Sequence, residues 1–149
     1  MHQHTIRRAV LSDTVELARL TTQLGYPTSA MEITPRLTRL LASSTDCLLI
    51  AQTSNSKLAG WIHGFLSQLL ESDYRVEIGG LLVDESLRRQ GIATELVQAI
   101  ENWALERGAV ELSVRCREDR LEAHSFYQRL SFRYRKAQRV FRKSIAKAT

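Results

Sequence analysis

Cysteine is scarce in this sequence, with two residues among 149. Cys47 lies in an apolar run and Cys116 in a basic polar one, so their positions predict neither a disulfide framework nor the spacing of a metal site. Both thiols fit a reducing compartment, and we expect no metal cofactor.

Long apolar runs are also missing. No stretch reaches the roughly 20 apolar residues of a membrane-spanning helix, and residues 1–8 lack the apolar segment of a signal peptide. No internal repeat or low-complexity stretch interrupts the chain. With 44% hydrophobic residues it can bury one substantial core. We therefore expect a single domain over residues 1–149, in the cytoplasm and without membrane contact.

Acidic residues are outnumbered, and the formal net charge is +5. This excess predicts attraction to anions, of which nucleic acid is one. The C-terminal residues from Arg133 to Lys147 contain seven basic residues and no acid, alternating in part with aromatic and β-branched ones. Because basic residues commonly protect an exposed strand edge, this pattern favours an edge strand over a nucleic-acid groove.

Hydrophobic periodicity predicts strands and helices in the order β-α-α-β-β-β-α-β-α-β. The middle strands form antiparallel hairpins, and the helix crossover makes the fifth strand parallel to the fourth. Asp13 and Glu16 have capping-box spacing, as do Ser29 and Glu32. Pro35 either kinks the second helix or marks its restart. We predict strands at 5–9, 46–53, 57–69, 74–83, 110–114 and 132–142, and helices starting near 12, 29, 91 and 121.

The stretch 76–97 organises the rest of the chain. An apolar strand runs to Val83, and Gly79-Gly80 inside it predicts a bulge. An arginine loop containing Gly91 then opens into an amphipathic helix. The first N–H groups of a helix have no intrahelical partner and bind phosphate well. The sequence therefore predicts an anion site at the start of this helix.

The run at 88–93 resembles the Arg/Gln-x-x-Gly-x-Gly/Ala signature of the GNAT superfamily of acyl-CoA-dependent N-acyltransferases. A second motif at 123–132 is similar to the family's as well, although Ser131 replaces its usual glycine. The resemblance covers nearly the whole chain and implies a single α/β N-acetyltransferase domain with a mixed, mostly antiparallel sheet flanked by helices. It also implies acetyl-CoA as cosubstrate. The residues it assigns to the pyrophosphate loop are Arg88, Arg89, Gln90, Gly91, Ile92, Ala93 and Thr94.

By register with the family strand, the Leu81 amide resembles the donor to the acetyl carbonyl and Val83 the partner of pantetheine, with Leu82 facing the other way. Tyr127 matches the tyrosine that the family places beside the CoA sulfur, which implies a general acid. Its alternative is a packing aromatic at a helix end.

The proton acceptor stays open between two residues. Glu77 stands where some family members carry a glutamate, but it could equally anchor the substrate ammonium or face solvent. His63, on the neighbouring strand, is the second candidate, although a half-buried histidine with a backbone partner is the commoner outcome.

The resemblance implies direct transfer of acetyl from acetyl-CoA to a primary amine of a small molecule or peptide. A homodimer is also common in the family. Two alternatives remain: a CoA-binding regulator without turnover, and a nucleic-acid binder that uses the basic C-terminus.

Overall fold

The structure is a computed structural model that describes residues 4–146. Lys147, the last residue of the basic run, lies outside the described residues. The chain divides into two compact units, one ending at Arg115 and one beginning at Cys116. The first unit contains a five-stranded sheet in the order β1-β2-β3-β4-β5, antiparallel except between β4 and β5. The strands are β1 His4–Arg8, β2 Asp46–Thr53, β3 Leu58–Ser67, β4 Arg75–Val83 and β5 Glu111–Val114.

Three α-helices belong to the first unit and one to the second. A short 3-10 turn, Leu11–Asp13, precedes α1. A second one, Glu85–Leu87, follows β4 and precedes the arginine loop before α3. The helices are α1 Thr14–Gln23, α2 Ala30–Ala42, α3 Ile92–Glu106 and α4 Leu121–Arg129. Element types and order match the predictions up to the end of α4.

The sheet of the first unit carries apolar helices on both faces. On one face α3 lies so close that a Cβ added to Gly64 would stand 3.1 Å from Ile100. On the other face α1 and α2 cover the strands, with Leu20, Leu37 and Ile50 fully buried in the same cluster. Burial of such side chains, at roughly 1.5–3 kcal/mol each, holds the helices against the sheet.

The predicted capping box at the start of α1 is wrong. The Asp13 carboxylate accepts from the Val10 backbone N–H at 2.8 Å and from both Nη atoms of Arg7. Asp13 makes no side-chain cap to α1, and Glu16 bonds Arg19 instead. The cation of Arg7 therefore takes the carboxylate that the spacing assigned to the helix.

The capping box at the start of α2 is confirmed. Ser29 Oγ accepts from the Glu32 backbone N–H at 3.1 Å, and the Glu32 carboxylate accepts from the Ser29 N–H at 3.3 Å. Pro35 lies inside a continuous helix, so the helix does not restart there.

The predicted last strand, 132–142, is wrong. In the second unit, α4 ends at Arg129 and no strand is formed from Phe132 to residue 146. Ser131 takes a positive φ of 73° in the turn after the helix. Residues 133–146 are all exposed. No strand described in residues 4–146 pairs with this segment, so its backbone groups are left to water.

Candidate functional site

Strand β4 bulges at the glycine pair. The ladder pairs His63 with Gly80 and Gly64 with Ile78, which leaves Gly79 without an opposite residue. This confirms the predicted bulge. On the other side, β5 pairs with β4 only up to Ile78, although β4 continues to Val83. The rest of β4 therefore has no strand partner on the β5 side, while Leu81, Leu82 and Val83 stand opposite Ile62, Trp61 and Gly60 of β3.

Three rings of β3 lie over the glycine pair. A Cβ added to Gly79 would stand 3.1 Å from His63 Nδ1 and 3.3 Å from Phe65, and one added to Gly80 would stand 2.7 Å from Trp61. Glycines are therefore needed here because the rings occupy the space of a side chain. We call Trp61, His63 and Phe65 the ring face.

His63 is paired with a carboxylate that the sequence did not single out. Its Nε2 lies 2.7 Å from Asp46 Oδ1 on β2. Ser43 Oγ and Thr45 Oγ1 donate to the other oxygen, Oδ2, at 2.6 and 3.1 Å. Burial alone would raise the pKa of Asp46, but the hydrogen bonds from Ser43, His63 and Thr45 outweigh it and lower that pKa. Asp46 is therefore ionised at neutral pH.

Glu77 lies opposite Phe65 on β3 and opposite Ser113 on β5. Its side chain is 15% exposed, and Arg115 Nε lies 3.4 Å from its carboxylate. Trp61 Nε1 and Ser113 Oγ are among the buried polar side-chain atoms of the first unit that find no hydrogen-bond partner within residues 4–146. The ring face thus adjoins two carboxylates, Asp46 and Glu77, each with a partner of its own.

The loop between β4 and α3 has the backbone that the anion site requires. Gly91 is the N-cap of α3 with φ 79°, and no side chain caps the helix. Arg89 also takes a positive φ, 65°. The first N–H groups of α3 are therefore free of side-chain caps, beside the exposed cations of Arg88 and Arg89. In the rest of the loop and first turn Ile92 is buried, Gln90 and Ala93 are half-buried, and Thr94 is exposed.

An arginine of α1 anchors the start of this loop. Arg19 donates to Glu16 at 2.6 Å, to Asp84 at 3.0 Å and to the Leu58 carbonyl at 3.0 Å. Asp84, 6% exposed, also accepts from Ser86 N and Oγ at 2.9 Å. The segment that leads into the arginine loop is thereby fixed to α1 and β3.

Tyr127 lies on α4 in the second unit, between the rings of Phe126 and Phe132. The ring centroids are 5.0 and 5.3 Å away, with edge-to-face geometry. Burial raises the pKa of Tyr127 to about 12, and the neighbouring Cys116 adds to this rise. The hydroxyl therefore stays protonated across the neutral range, which is the state that a proton donor needs. Burial also raises the pKa of the Cys116 thiol, so Cys116 is a poor acyl carrier.

Among the predicted residues, the first unit brings Glu77 and His63 to one face of β3 and β4. Sequence reasoning missed Asp46 and Arg19. A signal for Asp46 existed, because the hairpin turn near residue 55 pairs Leu48 with His63 and so makes Asp46 a diagonal neighbour of the histidine. Arg19 carried no signal, since its partners are separated from it by up to 65 residues.

Within residues 4–146, no group of three or more His, Cys, Asp and Glu side chains could hold a metal ion. None of the helices described is long and apolar enough to span a membrane.

Comparison with known proteins gives the family. The model described as "Acetyltransferase (GNAT) family" matches residues 11–132. The chain therefore belongs to the acetyltransferase (GNAT) family, as the loop and the 123–132 motif predicted. The predicted α/β fold class is also confirmed, without the last strand.

One relative and two solved structures illustrate the similarity. Aminoglycoside N(6')-acetyltransferase type 1 of Acinetobacter genomosp. 13 is 36% identical over 66 residues, which are 44% of this chain and 45% of that protein. This chain thus matches about half the length of that relative.

Both structures show the same fold at low sequence identity. The 6'-N-acetyltransferase AAC(6')-Ih of Acinetobacter baumannii has a TM-score of 0.83 at 22% identity, covering 96% of this chain and 99% of that one. The N-acetyltransferase AAC(6')-Iy, solved in complex with CoA, has a TM-score of 0.85 at 18% identity and covers 96% of each chain.

Proposed function

We propose that this protein transfers the acetyl group of acetyl-CoA to a primary amine by direct attack. The observation that carries the proposal is the uncapped start of α3, where Gly91 and Arg89 take positive φ beside exposed arginines. Backbone N–H groups and positive charge in this arrangement suit a pyrophosphate. Family membership identifies that pyrophosphate as part of CoA.

Backbone groups at the end of β4 are where we expect the reacting atoms to be held. Because β5 ends opposite Ile78, the backbone groups of β4 from Gly79 to Val83 have no strand partner on that side and are available to the pantetheine arm. We assign the Leu81 amide to the acetyl carbonyl oxygen and Val83 to pantetheine, with Leu82 turned the other way. A backbone donor aimed at the developing oxyanion supplies the electrostatic stabilisation that acyl transfer needs.

Three steps complete the reaction. The neutral amine attacks the thioester carbon, forming the C–N bond and an oxyanion. The oxyanion then collapses and breaks the C–S bond. Before the attack, a base near the ring face takes a proton from the acceptor ammonium. After the C–S bond breaks, the departing thiolate takes a proton from Tyr127, and the acylated nitrogen releases its remaining extra proton, which returns through water to the tyrosine. Holding amine and thioester together contributes much of the remaining acceleration.

The acceptor that we propose to test first is an aminoglycoside, because the matched relative is named for that activity. The ring face and Glu77 support such an acceptor, since aromatic rings pack against sugar rings and a carboxylate attracts an ammonium group.

The proposal is tested in two stages with the full chain. Calorimetric titration should show acetyl-CoA binding, and a thiol-release assay with aminoglycosides, other small amines and peptides should show turnover with at least one. Binding without thiol release for every amine would favour the CoA-binding regulator. Absence of acetyl-CoA binding would contradict both.

We further propose that the protein is a homodimer in the cytoplasm, where acetyl-CoA is available to it. The segment 132–146, which forms neither helix nor strand, exposes Tyr134, Val140, Phe141 and Ile145. We infer that a second copy of this chain covers these side chains. Sedimentation should give a dimer, and Phe141→Glu should give a monomer. A monomeric wild type that binds single-stranded DNA in a salt-dependent way would favour the nucleic-acid alternative.

A further inference from the structure

The pairing of His63 with Asp46 determines which ring nitrogen of the histidine is available. A carboxylate that is ionised can only accept a hydrogen bond. At 2.7 Å from Asp46 Oδ1, His63 Nε2 must therefore carry the proton. In the neutral imidazole the lone pair then lies on Nδ1.

Nδ1 is the nitrogen that faces the bulge of β4. The position of a Cβ on Gly79 is 3.1 Å from it, and Gly79 itself is exposed. Gly80 and Leu81, whose amide we assign to the acetyl oxygen, follow directly. The histidine side chain is 22% exposed, so its proton has a route to water.

The other candidate base is differently placed. Glu77 is 3.4 Å from Arg115 Nε, so a cation already occupies one of its carboxylate oxygens. Such a group suits an ammonium anchor better than a proton acceptor.

We infer that His63 is the base of the acetyl transfer and that Asp46 is its positioning residue, holding Nε2–H so that the Nδ1 lone pair faces the bulge. The inference rests on the proposed function. The ammonium of the acceptor loses a proton to Nδ1, and the free amine then attacks the thioester. Asp46 does not touch the substrate and acts only through the histidine.

Asp46→Asn is the decisive variant. Ser43 and Thr45 hydroxyls should keep the side-chain oxygen, so the new NH2 group faces His63 Nε2 and turns it into an acceptor. The ring proton then moves to Nδ1 and blocks the base. We expect turnover to fall about 10²-fold, a usual contribution of general base catalysis, with an unchanged KM for acetyl-CoA.

Nitrogen NMR of the His63 ring gives a readout that is independent of turnover. The wild type should show the proton on Nε2, and Asp46→Asn should show it on Nδ1. His63→Ala should lose similar activity and recover part of it with added imidazole. The matched control is Asp13→Asn, which changes a buried carboxylate of this unit that pairs with Arg7 rather than with the histidine, and should alter neither the His63 tautomer nor turnover.

The outcomes separate the two proposals. An active wild type with unchanged turnover in Asp46→Asn, or with the His63 proton on Nδ1, would overturn the inference and leave the proposed function standing. A wild type that acetylates no amine at all would overturn the proposed function and the base role with it.

Discussion

Arg19 and Asp84 form an ion pair of 3.0 Å between α1 and the start of the β4–α3 loop. The Asp84 N–H also donates to the Ala59 carbonyl at 2.7 Å, and the carboxylate holds the turn that precedes Arg88. The position of the β4–α3 loop therefore depends on a cation in a helix that contributes no residue to it.

Replacing Arg19 by glutamine should loosen this loop. We expect the KM for acetyl-CoA to rise about tenfold, equivalent to roughly 1.4 kcal/mol, with a smaller change in kcat. The unfolding free energy should fall by about 2 kcal/mol, because a buried carboxylate loses its charged partner. Steady-state kinetics and urea unfolding measure the two effects.

Arg7→Gln is the matched control for Arg19. Arg7 donates to both oxygens of Asp13 at 2.9 Å, and Asp13 is as buried as Asp84, at 6% exposure. The control should lose similar stability but keep the KM for acetyl-CoA. An equal rise of KM in both variants would show that the loop responds only to general destabilisation.

Gly91 should be required for binding rather than for packing. A Cβ there would meet nothing within 4 Å, but its φ of 79° strains any other residue. Gly91→Ala should cost about 1–2 kcal/mol of stability. A methyl group where the backbone approaches the pyrophosphate should also raise the Kd for acetyl-CoA about tenfold. Calorimetry measures this Kd.

Gly108, just past the other end of the same helix, provides the comparison. It too has a positive φ, 81°, and free space around its Cβ position. Gly108→Ala should therefore cost the same stability without changing the Kd. If both alanine variants bound acetyl-CoA as the wild type does, the uncapped helix start would not be the anion site.

Stability should fall as the pH drops through the range in which unfolded carboxyls titrate. Hydrogen bonds outweigh burial and lower the pKa of Asp13, Asp46 and Asp84 from 3.8. The hydrogen bond from Arg19 lowers that of Glu16 from 4.5. The unfolded chain then binds more protons between the folded and unfolded pKa values, so stability present above pH 4.5 is lost below it. Urea unfolding at a series of pH values tests this, and a flat profile down to pH 3 would contradict it.

Local sequence patterns predicted much of the fold. The run to Val83, the glycine bulge and the α3 periodicity each depend on residues close together in the chain, and each is found. The capping box at Ser29 is equally local. The box at Asp13 failed because Arg7, on another element, takes the carboxylate.

Long-range pairs explain most of what the sequence could not predict. The Arg19–Asp84 pair and the Asp46–His63 contact exist only after the sheet assembles, and residue types alone do not specify them. The prediction of a strand at 132–142 failed for a related reason. Alternation of basic and apolar residues predicts a strand, but it does not supply the neighbouring strand that a sheet needs.

Tyr127 should be distinguishable as a proton donor in two measurements. Burial raises its pKa to about 12, so the difference in phenolate absorbance between wild type and Tyr127→Phe should titrate near that pH. If its hydroxyl protonates the departing thiolate, the variant should also lose about 10²-fold in kcat at saturating acetyl-CoA. Tyr74→Phe, which removes a hydroxyl from the first unit, should keep the wild-type kcat. Full turnover in Tyr127→Phe, together with the absorbance change, would leave Tyr127 as a packing aromatic of α4.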